Sequence, residues 1–262
     1  MTIDAHVHYW QFDPVRDAWI TEAMTVLRQD YLPQLAKSVF AENAVDGCIA
    51  VQADQSETET DFLLALAKEH AFIKGIVGWI DLRSEYLPQR LDHFRQFPLI
   101  KGWRHIVQAE PMDFLQREDF RRGIKALRMY SYTYDVLVYH QQLKPALAFM
   151  HAFPDQRFII DHCAKPAIAK KEIGEWAKYM KEMAQHPDVY CKLSGLLTEA
   201  VHAAFALLMA RGIPGQIVMD DGGEEVLQVD AFRQAIGGDE DGLIGFAKQG
   251  DTFFALFGWV FT

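Results

Sequence analysis

Eight short runs rich in apolar and β-branched residues, at 3–8, 47–53, 75–81, 100–107, 134–139, 157–163, 189–194 and 216–219, alternate with longer stretches of helical spacing. This alternation constrains the fold more than any other feature of the chain. A strand buried on both faces reads as a continuous apolar run, and two parallel neighbours need a crossover of helical length between them. The spacing predicts helices over 31–42, 58–69, 87–94, 118–129, 140–153 and 171–185. In the second of these, Phe62, Leu63, Leu66 and Ala67 share one face. Eight βα repeats with no Pro/Gly-rich linker predict a single α/β domain over 1–262, a distorted (β/α)8 barrel. An open doubly wound sheet uses the same local units, but no G-x-G-x-x-G follows any of the runs.

The chain has 262 residues, half of them apolar, with 26 Lys and Arg against 36 Asp and Glu, a formal charge of −10. That supplies a sizeable core and excludes a disordered chain. An acidic surface repels phosphate backbones, and no basic stripe interrupts it, so a nucleic-acid partner is not expected. No run approaches the ~20 apolar residues of a membrane helix. The first residues, Met1 to His6, carry neither the basic nor the apolar region of a secretory leader, and the expectation is a cytoplasmic protein without a membrane partner. Cys48, Cys163 and Cys191 are an odd number without a C-x-x-C pair, which reads as buried thiols in a reducing compartment.

Barrel enzymes place their chemistry at the C-terminal ends of the strands. At the end of the first run stands Asp4-Ala5-His6-Val7-His8-Tyr9-Trp10. Residues i and i+2 of a strand point to one face, so His6 and His8 converge, as two imidazoles must to bind one metal or one substrate oxygen. The sixth run ends in Asp161-His162-Cys163-Ala164-Lys165-Pro166, where a period of two directs His162 inward and Asp161 toward the helices. The fourth ends in Lys101-Gly102-Trp103-Arg104-His105; an arginine there can hold a carboxylate or polarise a carbonyl, while Lys101 reads as a surface ion pair. Gln52, Asp81, Tyr139, Lys192 and Glu199 are further candidates near strand ends. The chain lacks G-x-S-x-G, H-E-x-x-H and the phosphate-loop motif, which removes support from serine-nucleophile, zincin and phosphoryl chemistry.

These motifs, with Val51-Gln52-Ala53, Val77-Gly78-Trp79-Ile80-Asp81-Leu82 and Tyr190-Cys191-Lys192-Leu193-Ser194-Gly195-Leu196, resemble the amidohydrolase-2 branch of the amidohydrolase superfamily. The order and spacing are most similar to its sugar-lactonase members, which include L-fuconolactone and L-rhamnonolactone hydrolases; 2-pyrone-4,6-dicarboxylate lactonase is a more distant relative. The resemblance implies a barrel that hydrolyses a sugar-acid lactone by adding water to the ring carbonyl. It implies that His6, His8 and His162 line the site and in some members bind a divalent metal, zinc foremost, while other members work without one, and that an aspartate ending the eighth strand is the general base. On that reading Asp221, His162, His105 and Arg104 are catalytic, Gln52, Asp81, Tyr139 and Lys192 bind substrate, and His6, His8, His162 and Asp221 hold any metal. The small-molecule lactone is the expected partner. A metal-dependent decarboxylase of the same superfamily, or a barrel that only binds ligand, are the alternatives.

The motif match runs to about residue 200 and then departs from the family's pattern. The usual Gly-Ser-Asp-Trp-Pro-like end of the eighth strand is missing, and Gln216-Ile217-Val218-Met219-Asp220-Asp221 stands in its place. Residues 201–262 hold 10 of the 17 glycines and nine acidic residues against three basic ones. Either the segment is a divergent closure of the barrel or an altered reading frame replaced the original C-terminus and the base with it.

Overall fold

Through the described residues strands and helices alternate as the first seven apolar runs predict. β1 (Ile3–Val7), α1 (Pro33–Glu42), β2 (Gly47–Val51), α2 (Glu57–Glu69), β3 (Ile73–Gly78), α3 (Leu87–Phe94), β4 (Ile100–His105), α4 (Glu118–Met129) and β5 (Thr133–Val136) are followed by α5 (Leu143–His151), β6 (Phe158–Ile160), α6 (Gly174–Met183) and β7 (Val189–Cys191). The structure is a computed structural model and describes residues 1–196 together with 199 and 200. It divides into two compact units, one of Met1–Ile106 with Arg117–Asp135, the other of Val107–Gln116 with the chain from Val136 onward.

In the first unit β1 pairs with β2, β2 with β3 and β3 with β4, all parallel, with Ile3 opposite Gly47, Cys48 opposite Ile73 and Ile76 opposite Ile100. Each strand lies beside its sequence neighbour. A doubly wound sheet reverses strand order at a switch point, and no reversal occurs from β1 to β4, which is the order a barrel requires. The helices begin where local chemistry lets them. Ser56 caps α2 by accepting from the Glu59 amide at 3.1 Å, with Glu57 and Glu59 in the first turn and Lys68 in the last, each charge complementing the helix dipole. α1 starts at Pro33 and not at residue 31, because proline lacks the N–H that an interior helical position needs and disfavours helical geometry in the residue before it. β4 carries the core: Trp103 is fully buried and meets Phe94 of α3 edge-on at 5.1 Å, while Phe120 of α4 meets Tyr134 of β5 at 5.8 Å. Burying one such ring contributes about 1.5–3 kcal/mol.

In the second unit β6 and β7 pair in parallel, with Phe158 opposite Val189 and Ile160 opposite Cys191. Phe149 of α5 lies on Phe158 at 5.5 Å and fastens that helix to the sheet. Both strands and both helices of this unit are shorter than the spacing predicts. The sixth run was expected to stay extended to residue 163, but β6 ends at Ile160 because His162 and Cys163 turn to positive φ. Residues 140–142 form a 3₁₀ turn ahead of α5, and α6 begins at Gly174, after Lys171 has taken a left-handed conformation. The eighth run, with Asp220 and Asp221, lies outside the described residues. The described fold is thus α/β with parallel strands wound in sequence, and none of its helices is long and apolar enough to cross a membrane.

Candidate active site

His6 and His8 converge at the end of β1. Their Nε2 atoms lie 3.0 Å apart, with the rings edge to face at 4.7 Å. His8 Nδ1 is 2.8 Å from the Val51 carbonyl at the end of β2. A carbonyl only accepts, so Nδ1 carries the proton and the neutral ring presents its lone pair at Nε2. Arg104 Nη1 lies 3.3 Å from His6 Nε2 and donates to it only when the single lone pair of that nitrogen is not engaged toward His8 or a cation. A separation of 3.0 Å suits a shared proton, with His6 Nε2–H donating to His8 Nε2, and it equally suits two ligands of one ion. Two nitrogens bound at ~2.0–2.1 Å to one ion stand about 3.0–3.4 Å apart at angles of ~90–110°. The pair therefore fits a divalent metal, with the Val51 carbonyl as the outer hydrogen bond that orients one ligand.

Arg104 is held from β2. Its Nη2 donates to the Gln52 carbonyl, and Gln52 Nε2 donates back to the Arg104 carbonyl at 3.4 Å. Arg104 and Gln52 are 4% and 0% exposed, so this guanidinium is a desolvated, permanent charge beside His6. His105, the next residue, turns to the other face of β4. It accepts from Trp79 Nε1 at 3.4 Å through Nδ1 and packs on Phe120 of α4 at 5.9 Å. The adjacent pair Arg104-His105 is thus divided by the two-residue period of its strand. Asp81 folds its own loop, accepting from the Arg83 amide at 3.0 Å and from its Nε at 3.1 Å.

In the second unit the Asp161-His162 turn carries the other donors. Asp161, expected to face the helices, instead brings its carboxylate within 4.8 Å of a His162 ring nitrogen, because the chain turns to positive φ after it. It is fully buried and forms an ion pair with Lys192 Nζ at 2.9 Å, while His162 is half-buried, with Nδ1 2.8 Å from Ser194 Oγ. Tyr139 is 41% exposed, and Lys165 Nζ lies 5.1 Å above its ring. Behind His162, Cys163 and Cys191 bring their sulfurs to 3.6 Å, a pairing that their sequence spacing conceals. The carbonyl of Val51 and the hydroxyl of Ser194 were absent from the candidates read from the sequence. A backbone oxygen leaves no trace in residue type, whereas Ser194 is followed by Gly195 at a φ of 71°, and a Ser-Gly pair after a strand is a signal that the backbone turns there.

The whole span of these motifs has relatives. The family model described as amidohydrolase matches residues 3–227, which extends beyond the motifs and takes in Asp220 and Asp221. An L-fucono-1,5-lactonase of Burkholderia multivorans is 39% identical over 207 residues, 76% of this chain and 70% of that protein. An L-fucono-1,5-lactonase of Burkholderia ambifaria is 34% identical over 199 residues, 76% of this chain and 69% of that protein. The crystal structure of an amidohydrolase from Burkholderia multivorans with bound zinc superimposes with a TM-score of 0.76 at 35% identity, covering 90% of this chain and 81% of that one.

Proposed function

The chain belongs to the amidohydrolase family, and from that membership we propose that it is a hydrolase that opens the ring ester of a sugar-acid lactone by adding water to the carbonyl. The observation that carries this reading is the meeting of His6 Nε2 and His8 Nε2 at 3.0 Å beside the buried Arg104 guanidinium. The relatives named L-fucono-1,5-lactonase supply the substrate class. No observation favours decarboxylation. The chain is read as one (β/α)8 barrel domain, its last repeat supplied by the glycine-rich segment 201–262.

In this reading Asp221, with Asp220 beside it in sequence, takes the proton from the attacking water, and both lie outside the described residues. Arg104 stabilises the negative charge that forms on the carbonyl oxygen, a role for which a buried, already oriented guanidinium needs no reorganisation. The ring C–O bond then breaks and its oxygen receives a proton, leaving an open hydroxy acid. His105 positions Trp79 and the end of β4, Gln52 acts through Arg104, and Lys192 acts through Asp161. Asp81 and Tyr139, which keep solvent exposure, contact substrate hydroxyls. The donors proposed for a divalent cation, zinc foremost, are His6, His8 and His162 with Asp221, and Asp161 is a further carboxylate of suitable type. When bound, such a cation supplies positive charge that polarises the ester carbonyl.

The test is acid release from a panel of aldonolactones, run beside carbon dioxide release from unsaturated carboxylic acids. Lactone opening above the buffer rate with no carbon dioxide is the expected result. Carbon dioxide alone would identify a decarboxylase, and ligand binding without either product a non-catalytic barrel.

A further inference from the structure

The residues that follow β7 hold the turn that follows β6. After Ile160 the chain passes through His162, Cys163, Ala164 and Lys165 at φ of 50°, 51°, 54° and 49°, four consecutive side-chain-bearing residues in the left-handed region. Each is disfavoured by contact between its Cβ and the backbone, so the turn persists only where its surroundings impose it. The imposition comes from 192–195. Lys192 donates its amide to the Ile160 carbonyl at 2.9 Å and accepts from the Cys163 amide at 3.2 Å, while its ammonium pairs with Asp161. Gly195 lies under the His162 side chain: a Cβ there would stand 3.1 Å from His162 Cβ and 3.3 Å from Cγ. Ser194 Oγ meets the ring itself, 2.8 Å from Nδ1.

We propose that Ser194 is a positioning residue that accepts the Nδ1 proton of His162 and so fixes the tautomer whose Nε2 lone pair is available to a cation or to the proton of a water. The proposal rests on the reading of His162 as a site residue. An imidazole that donates a lone pair at Nε2 must carry its proton at Nδ1, and a neutral ring left alone mixes both tautomers. His8 has its Nδ1 held at the same 2.8 Å by a carbonyl, which can only accept; a hydroxyl can also donate, so at His162 the direction follows from the proposed use of Nε2. Gly195 completes the arrangement: a Cβ there would press on His162 at 3.1–3.5 Å, and its φ of 71° is one that glycine adopts without strain.

The experiment is ring ¹⁵N NMR of the full-length chain, with the His162 signals assigned by their loss in His162→Gln, together with zinc affinity measured by competition with a chromophoric chelator. The wild type is expected to show a protonated Nδ1 and an unprotonated Nε2 before zinc is added. Ser194→Ala is expected to shift both signals toward a tautomer mixture and to weaken zinc binding by about 10–100-fold. Ser194→Thr, which keeps the hydroxyl, is expected to restore both, and native circular dichroism in each variant excludes a folding defect. A wild-type His162 protonated at Nε2, or a Ser194→Ala protein with unchanged ring signals, would overturn the proposal even in a protein that takes up no zinc. Wild-type tautomer and Ser194 dependence as expected, but no lactone opening, would leave the positioning role standing and remove the proposed function.

Discussion

Lys192 Nζ stands 2.9 Å from Asp161 Oδ1 in a setting where 9% and 0% of the two side chains are exposed. Removing one partner of a buried ion pair leaves the other charge desolvated, at a cost of about 3–5 kcal/mol, whereas replacing both is far milder. Lys192→Met is therefore expected to lower unfolding free energy by that amount in urea, and Lys192→Met combined with Asp161→Asn to recover most of it. A single variant within about 1 kcal/mol of wild type would show that the pair is not buried as described.

Arg104 reaches two acceptors at once, His6 Nε2 and the Gln52 carbonyl. Lysine keeps the charge but has no planar fork to span both. Arg104→Lys is expected to reduce kcat/KM for a lactone by about 10²–10³-fold, the cost of losing one oriented oxyanion donor. A loss below threefold would place the guanidinium outside the reaction.

Gly123 sits inside α4, where alanine ordinarily stabilises a helix by about 1 kcal/mol. Here a Cβ would collide with the Leu82 carbonyl oxygen. Gly123→Ala is accordingly expected to destabilise by about 1–3 kcal/mol, seen as a lowered Tm, and a raised Tm would show that the helix can move off that loop.

Much of the fold was legible in the sequence, and the parts that were not share a physical cause. The bounds of α3 and α4 agree with the spacing because their apolar residues repeat cleanly; in α4, Phe120, Ile124 and Leu127 all face the core. β6 is shorter than its apolar run because four left-handed residues follow it with no glycine or asparagine among them to mark the turn. The convergence of His6 and His8 followed from the two-residue period alone. The division of Arg104 from His105 follows from the same period, but which face meets the histidines depends on the neighbouring strand, which residue type does not reveal. Val51 and Ser194 act on ring nitrogens through oxygens contributed from other strand ends, and such contacts exist only after the strands are in register.

Cys48 is fully buried with the Tyr9 hydroxyl 3.2 Å from its sulfur, and burial pushes its thiol up to about 11. The folded value exceeds the ordinary one of about 8.5, so the neutral thiol's contribution to stability is complete below that pH and is lost as pH rises toward the folded value. A thiol reagent at pH 8 is expected to leave Cys48 unmodified until the protein is unfolded, and Cys48→Ala to flatten the fall in stability between the two values. Rapid labelling of Cys48 in the native protein would contradict the buried, neutral state.

The central claim is that the His6–His8 pair is where the lactone reacts. It is tested most directly by the initial rate of aldonolactone opening in the wild type, His6→Asn and His8→Asn, each verified as folded. The account predicts turnover well above buffer in the wild type and a loss of at least about 10³-fold in both variants, the scale of losing a group that acts on the transition state. Wild-type turnover that survives in either variant would contradict it.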